Sequence, residues 1–445
     1  MALESSVRLF ALAAILCCAP GLAQNGLLPL TVLHTNDLHA HLQPDDKGMG
    51  GFAYVAGAAR DQREHCQACI FLNAGDLVQG TPVSTIYRGV PVYEIANHMG
   101  IDVSTLGNHE FDYGWQRILT FIKVAKFPIV SANVEKEGGV LLTGKGYAIK
   151  QVGGLRVAVI GVLLGDLEGN FSTAEQTGPW HVTAVVDAVR RTVPLVKDKA
   201  DVIIVLGHIH DDETDKILRE IPEVALVVSG HDHKGYKELK HYDGRFAVEA
   251  KSYGVELGRV DLKYDPQAHK VISAEWTRIP VDSKKIAPVK DVADLVGQWE
   301  AKVSKVVDVP IGEARHRMEK PEVRIMVEQA MAAAVGADIG WVNTGNVRDI
   351  LPEGKLLARN AWNVLPFDNK IVVGKFKGSE IPAAITKDHP VDPNREYSVA
   401  IPDFSAANQG SKDQLSSKGL KFPKTGPLQR DALIDWIKKH KIVGE

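Results

Sequence analysis

The sequence predicts an α/β protein with two domains. Short apolar runs rich in Val and Ile, such as 202–206 and 225–228, are typical of central strands that are buried on both faces. Segments with apolar residues at helical spacing, such as 52–64, lie between these runs. The chain has 445 residues, of which 45% are hydrophobic and 24% charged, and this is enough for two domains with complete cores.

The charge balance limits the classes of partner. The 52 basic and 55 acidic residues nearly cancel, so the chain lacks the basic field that a nucleic-acid polymer or an anionic membrane surface requires. We therefore expect a small-molecule substrate, and a charged substrate needs a local site. The oligomeric state does not follow from the sequence.

The N-terminal segment predicts export. Residues 1–23 combine one Arg, an apolar run from Leu9 to Pro20 and small residues before Gln24, which is the pattern of a signal peptide. The apolar run is shorter than the roughly 20 residues of a membrane span. Residues 435–440 are amphipathic and charged, which argues against a removable anchor tail. The mature protein is expected to be periplasmic or secreted, without a stable membrane anchor.

Removal of the leader leaves one C-x-x-C pair, Cys66 and Cys69. Two cysteines cannot complete a four-ligand zinc site by themselves. A local disulfide, expected in an oxidising compartment, and two partly buried free thiols are both compatible with this spacing. Neither cysteine is assigned a catalytic role.

Residues 27–280 are predicted to form the first domain, which carries the candidate site. The expected elements are a helix over 52–64, a loop and helix over 80–99, a hairpin of strands 147–152 and 155–160, helices over 187–197 and 213–220, and a meander of strands over 245–277. Two adjacent glycines, Gly153 and Gly154, supply the hairpin turn.

Residues 281–306 are predicted to be a linker helix, because apolar residues recur there at helical spacing with charges between them. Residues 307–445 then form a smaller mixed domain. Its expected elements are a helix over 323–335, strands over 339–342, 371–376 and 397–401, and a last helix over 428–440.

Polar clusters follow the predicted strands of the first domain, and their carboxyl ends are where open α/β sheets bind ligands. The clusters supply carboxylate, amide and imidazole side chains within 37–39, 75–76, 107–112, 207–208 and 230–233. These oxygen and imidazole donors suit Zn, Mn, Fe or Co rather than Ca or Mg, and seven ligands are too many for one ion. Two divalent transition metal ions about 3.5–4 Å apart activate a water and clamp a phosphoryl oxygen for in-line attack.

The five clusters resemble the sequence blocks of the calcineurin-like metallophosphoesterases, and within them of the secreted 5′-nucleotidase family. The blocks are 36–39, 73–81, 107–114, 207–208 and 230–233, in the family's order. The resemblance extends from about Leu30 through the C-terminal helix. It implies a two-sheet α/β sandwich metallophosphoesterase domain with a smaller C-terminal α/β 5′-nucleotidase-type domain.

The same resemblance implies a role for each site residue. One ion is held by Asp37, His39 and His233, the other by Asn108, His208 and His231, and Asp76 bridges them. His109 stabilises the transition state or protonates the leaving oxygen, and Asp112 orients it. A protonated imidazole near two cations needs such a carboxylate partner to keep its proton. His41 and His210 also lie near the site in sequence and are interpreted as supporting or surface residues.

The C-terminal domain of the family supplies substrate specificity, and its blocks resemble 343–348 and 365–369 here. The implied substrate residues are Arg348, Arg324, Phe367, Asn369 and Phe404, together with Asn108. Arg348 is the main phosphate candidate because guanidinium binds phosphate bidentately, whereas a helix-surface salt bridge is the alternative for Arg324. Core packing is the alternative for both phenylalanines. Residues 408–411 depart from the family's Gly-Gly-Asp-Gly loop, which removes the ribose-facing Asp.

The sequence therefore predicts an exported dimetal 5′-nucleotidase that releases nucleoside and phosphate from nucleoside monophosphates. Enzymatic alternatives are a 2′,3′-cyclic-nucleotide phosphodiesterase, a nucleotide-sugar hydrolase, or a sulfur-compound hydrolase of the same fold. A secreted nucleotide-binding or adhesive protein is the alternative outside enzymes. The presence of both His109 and Asp112 argues against an inactive relative that keeps its metals.

Overall fold

The computed structural model of the protein describes residues 26–165, 174–410, 415 and 419–444. The predicted signal peptide over 1–23 lies outside these residues. Among the residues that the structure describes, none of the helices has the length and apolar character that crossing a bilayer demands.

The elements of the first domain alternate between strands and helices. The strands are β1 (Leu28–Thr35), β2 (Cys69–Asn73), β3 (Val103–Thr105), β4 (Ile129–Val130), β5 (Val134–Lys136), β6 (Val140–Leu141), β7 (Tyr147–Val152), β8 (Leu155–Leu163), β9 (His181–Val182), β10 (Val202–His208), β11 (Leu226–Gly230), β12 (Lys240–Tyr242), β13 (Arg245–Val248), β14 (Glu256–Asp265) and β15 (Lys270–Pro280). The helices are α1 (Phe52–Glu64), α2 (Pro82–Tyr87), α3 (Val90–Ala96), α4 (Trp115–Val124), α5 (Ala174–Thr177), α6 (Val185–Val196) and α7 (Asp211–Glu220).

Two six-stranded sheets form the centre of this domain. Their strand orders are β15-β14-β1-β2-β3-β4 and β12-β13-β11-β10-β8-β7. The central strands of each sheet are parallel, so their carboxyl ends lie along one edge. Antiparallel strands occupy the outer positions, at β14 and β15 in one sheet and at β7 and β12 in the other.

The two sheets pack face to face, with helices on their outer faces. The core between them combines side chains of both sheets, such as Val32 and Leu72 from one and Val159 and Val228 from the other. Helices α1 and α3 cover the outer face of the first sheet, and α6 and α7 cover that of the second. The predicted two-sheet α/β sandwich is therefore confirmed.

The predicted meander over 245–277 is wrong in one respect. Strand β13 pairs in parallel with β11 in the second sheet, whereas β14 and β15 form a hairpin on the edge of the first. The connection between β13 and β14 therefore crosses from one sheet to the other. Sequence periodicity identifies strands but does not assign them to a sheet, because pairing is set by long-range packing.

The predicted linker forms a helix that packs onto the first domain. Helix α8 (Lys290–Val307) buries Val292, Val296 and Val303 in the same core as the α1 and α3 side chains. Residues 281–289 precede it without helical structure, although Val281 is fully buried.

The remaining elements belong to the C-terminal domain. They are β16 (Pro310–Ala314), α9 (Lys320–Val335), β17 (Ile339–Gly340), β18 (Gly354–Leu357), α10 (Ala358–Val364), β19 (Lys370–Lys377), α11 (Ala383–Thr386), β20 (Glu396–Pro402), α12 (Asp403–Ala407), β21 (Lys424–Leu428), α13 (Gln429–His440) and β22 (Ile442–Val443). A four-stranded sheet, β17-β20-β19-β21, and a three-stranded sheet, β18-β16-β22, pack against α9 and α13.

His34 on β1 is an exception within the apolar core between the sheets. Its ring is fully buried and stacks on Trp276 at 5.3 Å, and neither ring nitrogen has a hydrogen-bond partner among the described residues. Burial without a partner disfavours the charged ring, and it lowers the pKa of His34 from 6.5 to about 3.

We expect this histidine to make the fold sensitive to acid. The unfolded chain binds the proton below pH 6.5 and the folded chain only near pH 3, so the free energy of unfolding falls as the pH drops below 6.5. Between pH 7 and pH 5 this one group should cost about 2 kcal/mol. Urea unfolding of wild type and His34→Leu at both pH values should show a smaller decrease in the free energy of unfolding, from pH 7 to pH 5, in the variant. Equal losses in the two proteins would contradict the prediction.

Candidate metal centre

The candidate ligands come together because their strands end at the same edge. Asp37 and Asp76 follow β1 and β2, which are neighbours in the first sheet, and Asn108 follows β3 beside them. His208 ends β10, and His231 follows β11 in the second sheet. The structure thus brings residues separated by almost two hundred positions into one cluster, as the sequence predicts.

The first group of this cluster consists of Asp37, His39 and His233. The Nε2 atom of His233 lies 3.0 Å from Nε2 of His39 and 3.2 Å from Oδ1 of Asp37. The two remaining donors, Nε2 of His39 and Oδ1 of Asp37, are 3.9 Å apart. Asp37 and His39 are buried, and His233 is partly exposed.

The second group consists of Asp76, Asn108, His208 and His231. The Oδ1 atom of Asn108 lies 3.1 Å from both Nε2 of His208 and Nδ1 of His231. The Oδ2 atom of Asp76 is 3.1 Å from His208 Nε2 and 3.6 Å from Nε2 of His39 in the first group. Asp76 therefore lies between the two groups, where a bridging carboxylate is expected.

The backbone of the cluster is strained. Five of the candidate ligands have positive φ angles, and they are Asp37 (51°), His39 (44°), Asp76 (52°), His231 (91°) and His233 (56°). A left-handed backbone at a non-glycine residue costs of order 1–3 kcal/mol and persists only where the surroundings enforce it. Such strain is concentrated at functional sites, and here it aims the polar side chains into one small volume.

Three buried polar residues that the sequence analysis did not single out hold the loops in place. Glu110 accepts the backbone N–H groups of Gly107, Asp76 and Leu77 at 2.6–3.1 Å. The amide of Asn36 donates to Asp37 Oδ2 at 2.7 Å. Glu249 accepts the N–H groups that follow His233 in the β11 loop. Asn36 and Glu110 stand within the sequence blocks of the site, and Glu249 follows the apolar residues of β13.

The electrostatics of the cluster fit a pair of cations. Burial raises the pKa of Asp76, but His208 and His109 lower it more, to about 2, so the carboxylate is ionised. Burial lowers the pKa of His208, but the carboxylates of Asp76 and Asp37 raise it to about 10. The carboxylates therefore attract positive charge, which is a proton on His208 here and would be a bound cation when that ring serves as a ligand.

The imidazoles themselves are suited to ligation. Burial lowers the pKa of His231 to about 3 and that of His39 well below its usual value, so both rings are neutral, as metal binding requires. Seven oxygen and nitrogen donors arranged around two adjacent positions therefore fit two divalent transition ions.

His109 lies beside the cluster with the partner that the sequence predicts. Its Nδ1 atom is 2.8 Å from Oδ2 of Asp112, and its ring is 5.1 Å from that of His39. Burial lowers the pKa of His109, but the charges of Asp112 and Asp76 more than offset this and raise it above the usual value. The ring can therefore carry a proton near neutral pH.

Two of the predicted substrate residues reach the cluster from the C-terminal domain. A terminal nitrogen of Arg348 is 3.4 Å from Nε2 of His109, and the Phe367 ring stacks against His109 at 5.6 Å. The guanidinium of Arg348 also lies 5.4 Å from the centre of the Phe367 ring. The loop of Phe367 is fixed by buried Arg430, which donates to the carbonyl oxygens of Leu365 and Phe367.

The other three predicted substrate residues of the C-terminal domain make no contact with His109 or the ligand candidates among the described residues. Arg324 is paired with Glu328 at 2.9 Å and with Asp388 at 2.8 Å, so its guanidinium is already satisfied within the C-terminal domain. Asn369 is buried and accepts the N–H of Gln429 with its backbone oxygen. Phe404 is half-buried on α12, and part of the loop after it lies outside the described residues.

Further polar and aromatic residues lie near the site. His41 stacks on Tyr253 at 4.1 Å. Nδ1 of His210 lies 3.3 Å from Oδ1 of Asp232, the residue between the ligand candidates His231 and His233. Lys320 at the start of α9 is a further basic side chain, and desolvation and the charge of Arg348 both lower its pKa, which favours its neutral form. No local pattern in the sequence marks Tyr253 or Lys320.

The two cysteines lie away from the cluster, at the start of β2. Cys66 and Cys69, for which the sequence left two alternatives, are joined in a disulfide. The bond closes the turn between α1 and β2.

Comparison with known proteins identifies the family of the chain. Residues 30–235 match the calcineurin-like phosphoesterase family, and residues 305–389 match the 5′-nucleotidase C-terminal domain. Protein UshA of Yersinia enterocolitica is 25% identical over 541 aligned positions, which cover 99% of this chain and 97% of that protein.

Two solved structures have the same fold. The 5′-nucleotidase precursor of Thermus thermophilus gives a TM-score of 0.80 at 23% identity, with 94% of this chain and 97% of that chain covered. The sulfate thiohydrolase SoxB of Thermus thermophilus gives a TM-score of 0.80 at 15% identity, with 93% and 94% covered. The chain therefore belongs to the calcineurin-like phosphoesterases that carry a 5′-nucleotidase C-terminal domain, and it is a metal-dependent phosphoester hydrolase.

Proposed function

We propose that this protein is an exported 5′-nucleotidase, which hydrolyses nucleoside monophosphates to nucleoside and inorganic phosphate. The proposal rests on the contacts that Arg348 and Phe367 make with His109, beside the cluster of candidate metal ligands. A cation for the phosphate and an aromatic face for a base thus lie beside the group that can protonate a leaving oxygen. The match of residues 305–389 to the 5′-nucleotidase C-terminal domain supports the same substrate class.

The proposal assigns the ligands as the sequence analysis does. Asp37, His39 and His233 would hold one ion, and Asn108, His208 and His231 the other, with Asp76 shared. Two divalent ions, when bound, polarise the phosphoryl group and activate a water molecule for in-line attack. Zn, Mn, Fe and Co all suit this donor set, and metal analysis of the purified protein would identify the ions.

The protein side chains complete the chemistry. The guanidinium of Arg348 neutralises and orients the phosphoryl oxygens, because its planar donors match their geometry. As the ester P–O bond breaks, the proton at Nε2 of His109 passes to the leaving oxygen, while Asp112 at Nδ1 stabilises the charged ring. The Phe367 ring would stack on the base of the nucleotide.

The proposal is tested by phosphate release from AMP by the mature protein with added Mn or Zn. A panel that also holds 2′,3′-cyclic AMP, a nucleotide sugar and a thiosulfate ester covers the enzymatic alternatives. We expect the highest kcat/KM for a nucleoside monophosphate and loss of activity after chelation. Absence of nucleotide hydrolysis by a protein with both metals bound would refute the proposal.

We expect Arg348→Ala to raise the KM for AMP about 10- to 100-fold, because a hydrogen-bonded contact to a charged group is worth about 1.5–3 kcal/mol. Arg324→Ala should leave KM close to the wild-type value, since that guanidinium is engaged with Glu328 and Asp388. Arg395→Ala, on the exposed surface of the same domain, is the matched control. A larger rise in KM for Arg324→Ala than for Arg348→Ala would reverse this assignment.

Export and the domain limits are part of the same proposal. The first domain would comprise residues 27–280, the linker 281–306 and the substrate domain 307–445. N-terminal sequencing of the protein recovered outside the cytoplasm should begin at Gln24. An N-terminus that retains the leader would contradict export by a cleaved signal peptide.

A further inference from the structure

Tyr253 has an unusual backbone conformation beside the cluster of candidate metal ligands. It lies in the connection that crosses from β13 to β14, with φ of 64°, and Gly254 follows with φ of 67°. A left-handed backbone is uncommon at a bulky aromatic residue, and it persists only where surrounding contacts enforce it. Here the Tyr253 N–H donates to the backbone oxygen of Asp37 at 2.7 Å. The strained residue is thus tied to the chain that carries a candidate ligand.

The ring of Tyr253 packs against the first group of the cluster. Its centroid is 5.8 Å from the His39 ring and 5.5 Å from the His233 ring, which it meets nearly perpendicularly. On another side it stacks on His41 at 4.1 Å with 29° between the planes. These contacts fix the position of the ring and leave only its hydroxyl group free to act.

The hydroxyl group of Tyr253 takes no part in these ring contacts. It reaches solvent and has no hydrogen-bond partner among the described residues, although the ring is half-buried. The charges that act on it belong to Arg348, Asp37 and Asp349. Asp37 is a candidate ligand, and Arg348 is the candidate phosphate residue of the other domain. The Tyr253 ring therefore lies beside the first ligand group, and Arg348 of the C-terminal domain is near enough for its charge to act on the hydroxyl.

We propose that Tyr253 is a further substrate-binding residue, whose hydroxyl donates a hydrogen bond to a non-bridging oxygen of the phosphoryl group. The inference rests on the proposed function, because it takes the phosphoryl position from the cluster and Arg348. A phenol is a good donor to an anionic oxygen, and its ring here is already held in place. The same hydrogen bond forms to inorganic phosphate, the product, so it can be measured without turnover.

The test compares Tyr253→Phe with wild type in the full-length mature protein loaded with Mn. Phenylalanine keeps the ring contacts with His39, His41 and His233 and removes only the hydroxyl. Isothermal titration calorimetry with inorganic phosphate measures binding, and elemental analysis measures the metal content. Tyr242→Phe removes a hydroxyl from a half-exposed ring on β12, so it serves as the matched control.

We expect Tyr253→Phe to weaken phosphate binding about tenfold, with an unchanged metal content and a similar rise in KM for AMP. Tyr242→Phe should bind phosphate like wild type. Phosphate affinity within twofold of wild type in Tyr253→Phe would overturn the inference, and so would a loss of metal in that variant. If wild type binds phosphate through Tyr253 but hydrolyses no nucleotide, the proposed function fails and the phosphate contact stands.

Discussion

Replacing His109 with glutamine is expected to lower kcat for AMP by about 10²- to 10⁴-fold, the range that loss of a positioned proton donor causes. Glutamine keeps a polar group of similar reach but cannot deliver a proton to the leaving oxygen. Nδ1 of the histidine is held by Asp112 at 2.8 Å, and its Nε2 faces Arg348 at 3.4 Å. The ring is therefore oriented so that the second nitrogen points to the place where the phosphoryl group arrives.

The metal content of this variant decides between two roles for His109. The donor atoms of His39, Asp76 and His109 all lie within 4.8 Å of one another, which is also compatible with ligation. If His109 is the proton donor, His109→Gln keeps both ions, and if it is a ligand, one ion is lost. Asp112→Asn should lower kcat in the same direction but less, because the imidazole remains. His98→Gln, at an exposed position on the same domain, should behave like wild type.

Local features of the sequence predicted much of this structure. Helix α1 spans the predicted residues 52–64, and β7 spans the predicted 147–152, because side-chain periodicity alone defines such elements. The convergence of the ligand candidates was also predictable. Parallel strands present their carboxyl ends at one edge, so polar residues that follow buried strands must lie near each other.

Features that depend on long-range packing were not predictable. The crossing from β13 to β14 determines where Tyr253 lies, and no local pattern marks a strand that changes sheets. Arg324 has a guanidinium group that could bind phosphate. In the fold it instead forms salt bridges with Glu328, one turn later on α9, and with Asp388 on another segment. A pairing across 64 residues cannot be inferred from helical spacing.

The contact between the two domains also depends on long-range packing. Arg348 and Phe367 reach His109 because the C-terminal domain is placed over the cluster, and Thr85 of α2 donates to the backbone oxygen of Pro366 at 3.1 Å. Buried Arg430 then fixes the loop that carries Phe367. Each of these contacts joins segments that are remote in sequence, so only the assembled fold gives the substrate residues their position.

The second large effect is expected from Gly107→Ala, a change of one methyl group that should disable the metal centre. Gly107 has an ordinary φ, so alanine is not excluded by the backbone. However, a Cβ atom there would lie 2.0 Å from Oδ1 of Asp76 and 2.5 Å from its backbone nitrogen. Asp76 is the candidate bridging ligand, and its Oδ1 already accepts the N–H of His109 at 2.9 Å. The carboxylate must therefore move, or the loop that holds Asn108 must move away.

Either movement breaks the bridge between the two groups of ligands. We expect loss of at least one ion per chain in elemental analysis and a fall in kcat/KM of about 10²-fold or more, since a misplacement near 1 Å has this cost. Overpacking should also lower the free energy of unfolding by about 1–3 kcal/mol. Gly297→Ala is the matched control, because no atom lies within 4 Å of its added Cβ and α8 gains helix propensity there. Gly107→Ala protein with full metal content and activity would show that Asp76 does not bridge the two ions, because the clash acts on the carboxylate and the backbone of that residue.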